Sequence, residues 1–126
     1  MSAKTFYEDL TWGMSVADVA ATLEGRKKVE DTRIIQKRKI NDVPVEVAFR
    51  FRDAGLESIE VSVLKSYGEW GEGDADEMAL VRWVTERAGP VTKREAASAK
   101  WHLPSVYIWT YCDESLGLYF EMQKTE

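Results

Sequence analysis

An alternating pattern runs through residues 43–52, whose sequence is VPVEVAFRFR. Valine or phenylalanine occupies every second position, and the residues between them are mostly polar. This period of two predicts a strand with one wholly apolar face, which decides that the fold contains a half-buried sheet. Pro44 lies near the start of the strand, where its missing N–H fits a strand end or an edge position.

Turn residues flank this strand on both sides. Asn41-Asp42 precedes it and Asp53-Ala54-Gly55 follows it, and these residue types tolerate tight turns. The run 33–40 can extend before the first turn, and 56–64 alternates after the second. Residues 33–64 therefore predict a three-stranded antiparallel meander.

Two amphipathic helices are predicted, one ahead of each set of strands. The first covers about Val16–Glu24, with Ser15 as N-cap and Gly25 as C-terminal cap. The second has an apolar stripe at Leu80, Val81, Val84 and Ala88, could be capped by Asp76, and ends before Gly89-Pro90.

Three further extended runs follow the second helix: Lys100–Leu103, Val106–Cys112 and Leu116–Met122. The chain thus predicts helix and three strands twice, in halves 10–65 and 74–123 joined by an acidic, glycine-rich loop over 66–76. We expect one α+β domain over 1–126, with about six antiparallel strands and both helices packed on one face, and a diverged α-β-β-β duplication is a hypothesis.

Composition narrows the classes of function. The 126 residues carry a net charge of −5, and all of the excess negative charge falls after residue 65. An acidic chain is poorly suited to nucleic acid or to an anionic membrane surface, so neither is an expected partner. Taken with Met1 as the natural start, the lack of an apolar N-terminal run predicts a cytoplasmic protein.

Trp12-Gly13-Met14-Ser15, followed by Asp18-Val19 and Leu23, resembles the opening of domains similar to the β-lactamase inhibitor protein and the small outer-membrane assembly lipoproteins. In those families a Gly-Met-Ser/Thr start caps a short helix ahead of an antiparallel sheet. The resemblance implies a fold that binds proteins on its exposed sheet and is not an enzyme. The chain departs from both families in its single Cys112, since it lacks a lipid-attachment cysteine near the start and a cysteine pair within a repeat; no binding residue is carried over.

The aromatic content points to a surface on the last strands. Five tryptophans and five tyrosines are a heavy load for this length, and both residue types are enriched at binding hot spots. Alternation places Tyr107, Trp109 and Tyr111 on the strand face away from Val106 and Ile108. The candidate partner-binding residues are Trp101, Tyr107, Trp109, Tyr111 and Tyr119. The aromatics could equally fill or cover the core, and the loop over 66–76 or a second subunit, giving a homodimer, could also cover them.

The residues that carry chemistry are few. His102 is the only histidine and Cys112 the only cysteine, and neither has a partner at a ligand or triad spacing, although their strands are adjacent. The acidic loop with Glu69, Glu72 and Asp74 lacks the EF-hand pattern, so a solvated loop is favoured over a calcium site. No catalytic residue, metal site or cofactor is expected.

The sequence therefore favours a non-enzymatic protein-interaction domain, of inhibitor or immunity type, with a protein partner on its aromatic sheet face. The alternative is a small-molecule or lipid-binding domain with a pocket between helices and sheet, lined by Phe49, Phe51, Trp83 and Val84. An enzyme built around His102 and Cys112 ranks third.

Overall fold

The fold was taken from a computed structural model of the chain. It describes residues 5, 7, 10–53, 55–64, 74–95, 98–102, 106–113 and 117–124. Within these ranges, the side chains at 74, 75, 77, 94, 95, 98, 111–113, 117–119 and 124 are not described.

Two helices and eight strands make up the described part of the chain. In chain order they are α1 Val16–Thr22, β1 Lys28–Val29, β2 Arg33–Ile40, β3 Val43–Arg52, β4 Gly55–Val63, α2 Asp74–Ala88, β5 Lys93–Glu95, β6 Ser98–His102, β7 Val106–Asp113 and β8 Gly117–Lys124. The strands form one antiparallel sheet in the order β1-β2-β3-β4-β8-β7-β6-β5. The predicted α+β class with an antiparallel sheet is confirmed.

The sheet has two more strands than the sequence predicted. These are β1, with two residues, and β5, with three residues, and they form the two edges. Very short edge strands, and charged residues such as those of β5, are usual ways to protect a sheet edge from pairing with other chains. Each half of the described chain is therefore a helix followed by a four-stranded meander, and the halves meet at β4 and β8. This order is the one that duplication of such a unit would produce, and duplication stays a hypothesis.

Local signals fix the ends of most elements. Ser15 caps α1, since its hydroxyl accepts a hydrogen bond from Asp18 N at 3.1 Å. The helix ends at Thr22, two residues earlier than predicted, because Leu23 is already extended. Gly89 ends α2 at φ +91°, and its N–H donates to Thr85 O. The prediction that Asp76 caps α2 is wrong, because the helix begins at Asp74.

The turn between β2 and β3 is a two-residue hairpin. Asn41 and Asp42 both have positive φ, 48° and 68°, which is the backbone of a type I′ turn. The Asn41 side chain also donates to Ala79 O in α2 at 2.9 Å, so the turn is fastened to the second helix. Pro44 is the second residue of β3, so it lies near the start of the strand, as predicted.

The core lies between the helices and one face of the sheet. The alternating valines and phenylalanines of β3, from Val43 to Phe51, are all buried, as the alternation predicted. Trp83 of α2 contacts Phe120 of β8 with ring centroids 5.7 Å apart, and Val19 of α1 is fully buried. Both helices therefore pack on this face.

Tyr7, in the N-terminal segment, fills the space between α2 and β3. Its ring centroid lies 5.4 Å from that of Phe49 and 5.8 Å from that of Trp83, and the residue is 2% exposed. Thr5 holds the segment in place, because its hydroxyl lies 3.1 Å from both Tyr7 O and Leu10 O and accepts from Tyr7 N. No helix in the described ranges is sufficiently long and apolar to cross a membrane.

Candidate functional site

The face of the sheet away from the helices is called the open face. Register places one continuous row of residues across its centre, one from each of the six inner strands. From β6 to β2 the row reads Lys100, Trp109, Glu121, Glu60, Ala48 and Ile35. The side chains of this row are half-buried. They stand on strands that are hydrogen-bonded on both sides, so the backbone that carries them is rigid.

An aromatic ladder, formed by His102, Tyr107 and Trp109, begins at Trp109 of this row and lies on β7 and β6. The ring centroids of His102 and Tyr107, paired between β6 and β7, are 4.7 Å apart. The centroid of Tyr107 is in turn 4.9 Å from that of Trp109, two residues along the same strand. These rings are tilted against each other, an arrangement that favours aromatic contacts. Because Tyr107 and Trp109 are half-buried and His102 is exposed, part of the ladder faces solvent.

For two of the predicted contact residues, Tyr111 and Tyr119, the structure describes only the backbone. Tyr111 and Tyr119 are direct partners in the β7–β8 register, so their backbones lie side by side. Their side chains are outside the described part of the chain. Their contribution to the surface stays a prediction.

Trp101 does not belong to the open face. It is 0% exposed, it pairs with Ile108 on the helix-facing side of the sheet, and its Nε1 donates to Gly89 O at 2.9 Å. The run Lys100–Leu103 is too short for its alternation to reveal which face carries the tryptophan. Trp101 joins β6 to the end of α2 in the core and is removed from the candidate surface.

A pair of carboxylates, which no local sequence pattern indicates, lies at the centre of the open face. Glu60 of β4 and Glu121 of β8 are direct cross-strand partners. Side chains in such positions have Cβ atoms about 5 Å apart, and like charges there repel. No local signal joins them, because they lie in different halves of the chain and only the β4–β8 pairing brings them together.

Arg50 interacts with both carboxylates, through an ion pair with Glu60 and through its charge near Glu121. The Arg50 guanidinium bonds Glu60, with Nη2 2.8 Å from Oε2. Burial raises the pKa of the Glu121 carboxyl; the hydrogen bond from Gln123 and the charge of Arg50 lower it, and the charge of Glu60 raises it further. The net result is an upward shift, so the fold disfavours the ionised form of Glu121.

His102 and Cys112 are not brought together. His102 pairs with Tyr107, and Cys112 lies five residues further along β7, about 17 Å away at the usual rise of a strand. A cysteine–histidine enzyme therefore gains no support from this register. In the described ranges, no group of three or more His, Cys, Asp or Glu side chains is placed to hold a metal ion. Most of the acidic loop over 66–76 lies outside those ranges.

Comparison of the chain with protein-family models, with curated proteins and with solved structures finds no match.

Proposed function

We propose that this chain is a non-enzymatic protein-interaction domain, of inhibitor or immunity type, that binds a protein partner through the aromatic ladder of the open face. The observation that carries the proposal is the contact between Tyr107 and Trp109, whose rings are 4.9 Å apart and half-buried on a rigid strand. Aromatic side chains already held in place lose little conformational entropy when a partner binds.

The packing of the opposite face favours this surface over the alternative pocket. The four residues expected to line a cavity, Phe49, Phe51, Trp83 and Val84, are all buried. Tyr7 lies between two of them, in ring contact with each. A small apolar ligand between helices and sheet would have to displace this tyrosine.

The fold class supports the same proposal. An antiparallel sheet with helices on one face leaves its other face available to a partner. The resemblance of residues 12–23 to domains similar to the β-lactamase inhibitor protein agrees with this use of the sheet. The acidity of the chain, with a net charge of −5, would steer it toward a basic partner.

The test is affinity capture from native lysate with three immobilised proteins: the parent chain, Trp109→Ala and Met78→Ala. Met78 is 57% exposed on α2 and is the matched control for loss of an exposed apolar side chain. We expect a protein that the parent and the Met78 variant retain and the Trp109 variant loses. Circular dichroism must show that all three are folded.

Retention of the same protein by the Trp109 variant at the level of the parent would mean that the ladder is not the contact surface.

A further inference from the structure

The carboxylate pair beside Trp109 indicates what kind of group the partner presents. Trp109 is the direct cross-strand partner of Glu121, and Glu121 is the direct partner of Glu60. An aromatic face and two carboxylates therefore adjoin along one row. Both features attract a cation, the ring through its quadrupole and the carboxylates through their charge.

Among the described residues, one arginine acts on both carboxylates. In the described part of the chain, the cation that lowers the pKa of Glu121 is Arg50, and its guanidinium already bonds Glu60. Lys100 stands on the other side of Trp109, two strands from Glu121 and about 10 Å away at the usual strand spacing. Arg50 is thus the one cation of the described residues that is seen to act on this pair, and a partner can supply a second.

A guanidinium fits this position better than an ammonium. It is planar, so it can lie on an indole face while its N–H groups point at a carboxylate in its own plane. The chain itself contains a contact of this kind, since the Arg87 guanidinium lies 4.1 Å from the Trp83 ring centroid. Arg50 and Glu60 show the matching arginine–carboxylate pair.

We propose that the partner binds the open face through an arginine side chain, which stacks on Trp109 and pairs with the carboxylates of Glu121 and Glu60. This inference rests on the proposed function and adds the chemistry of the partner to it. The two carboxylates attract the charge of this arginine, and Trp109 offers its ring beside them.

The probe for this site is the peptide acetyl-Gly-Arg-Gly-amide. The protein is titrated with this peptide, and NMR measures the chemical shifts of the tryptophan indole N–H signals. Trp109→Phe assigns the signal of Trp109 by its disappearance. We expect that signal to shift and to saturate at millimolar peptide, the range that a single exposed contact supports. The same peptide with citrulline, which has the shape of arginine without its charge, should leave it unshifted.

Glu121→Gln should raise the dissociation constant of the arginine peptide about threefold to fivefold, the size of one exposed ion pair. Glu86→Gln is the matched control, because Glu86 is exposed on α2 beside Arg87. That variant should bind the arginine peptide as the parent does. An equal shift with citrulline, or equal affinity of the Glu121 variant and the parent, would overturn the arginine site.

The two proposals fail in different ways. A captured protein that needs Trp109 but binds Glu121→Gln as tightly as the parent would keep the interaction surface and refute the arginine. Binding of the arginine peptide at Glu121, without any captured protein that depends on Trp109, would keep the arginine site and refute the proposed function.

Discussion

Glu60 and Glu121 stand opposite each other on β4 and β8, the strand pair that joins the two halves of the sheet. Arg50 holds the first carboxylate, and the second has a raised pKa because of burial and the neighbouring charge of Glu60. Folding therefore brings together two like charges that the unfolded chain keeps apart. This repulsion destabilises the folded state. The proposed binding of a cation on the open face would relieve it.

Replacing Glu121 by glutamine should stabilise the fold at neutral pH, by up to about 1 kcal/mol for relief of one cross-strand repulsion. The raised pKa means that the folded state binds the proton more readily than the unfolded state. In the parent, the protonated Glu121 carboxyl therefore stabilises the folded state. This stabilisation is complete below the pKa that Glu121 has in the unfolded chain, and it is lost as the pH rises through the higher pKa of the folded chain. The advantage of the glutamine variant should therefore vanish at acid pH.

Urea denaturation of parent and variant at pH 7 and at pH 3.5 measures this difference. Glu57→Gln is the control, since Glu57 pairs with Arg52 at 3.6 Å on an exposed surface and its loss should be neutral or slightly destabilising. If the Glu121 variant is less stable than the parent at pH 7, the charges of Glu60 and Glu121 do not destabilise the folded state.

The two tryptophans of β6 and β7 should respond differently to the same substitution. Trp101→Phe removes a hydrogen bond to Gly89 O and leaves space in a fully buried site, so it should cost about 2 kcal/mol. Trp109→Phe changes a half-buried ring on the open face and should cost less than about 1 kcal/mol. Equal losses in the free energy of unfolding would mean that the two residues are not divided between core and surface.

The hairpin between β2 and β3 should gain stability from Asp42→Gly. Asp42 has φ 68°, which glycine adopts without the steric penalty of a side chain, so we expect a gain of about 0.5 kcal/mol. Asn41 is kept, because its side chain bonds Ala79 O. Asp31→Gly makes the same chemical change outside the positive-φ positions and should not stabilise; thermal denaturation compares the two.

Gly55 allows the N-terminal segment to lie against the start of β4. A Cβ at this position would be 3.1 Å from Gly13 Cα and 3.2 Å from Gly13 O, and both of those are backbone atoms. Gly13 N also donates to Leu56 O, and Leu56 N donates to Met14 O, so the segment cannot move away freely. Gly55→Ala should therefore destabilise by about 1–2 kcal/mol. An unchanged melting temperature of the Gly55→Ala variant would show that the segment around Gly13 can move to make room for the Cβ atom.

Short-range patterns predicted the parts of this fold that depend on local chemistry. The alternation of 43–52, the Asn41-Asp42 turn and the Ser15 cap each act within a few residues, and each is found in the structure. The edge strands β1 and β5 were missed because runs of two or three residues are too short for an alternating pattern to show. They extend because a neighbouring strand offers hydrogen bonds.

The candidate site depended on register, which the sequence does not display. Tyr107 and Trp109 could be placed on one face because β7 is long enough to alternate. Trp101 could not, since its strand has five residues and its face is set by pairing with Ile108. Glu60 and Glu121 become neighbours through β4 and β8, which are far apart along the chain.

The junction of β4 with β8 would allow two copies of the chain to exchange halves. Each four-stranded half ends in a strand whose hydrogen bonds are completed by the other half, through register pairs from Ser58 with Gln123 to Ser62 with Tyr119. A second copy of the chain carries the same strand and can supply the same bonds. Exchange of halves between two molecules would preserve this ladder, so a domain-swapped dimer would keep the open face intact on each of its two composite sheets.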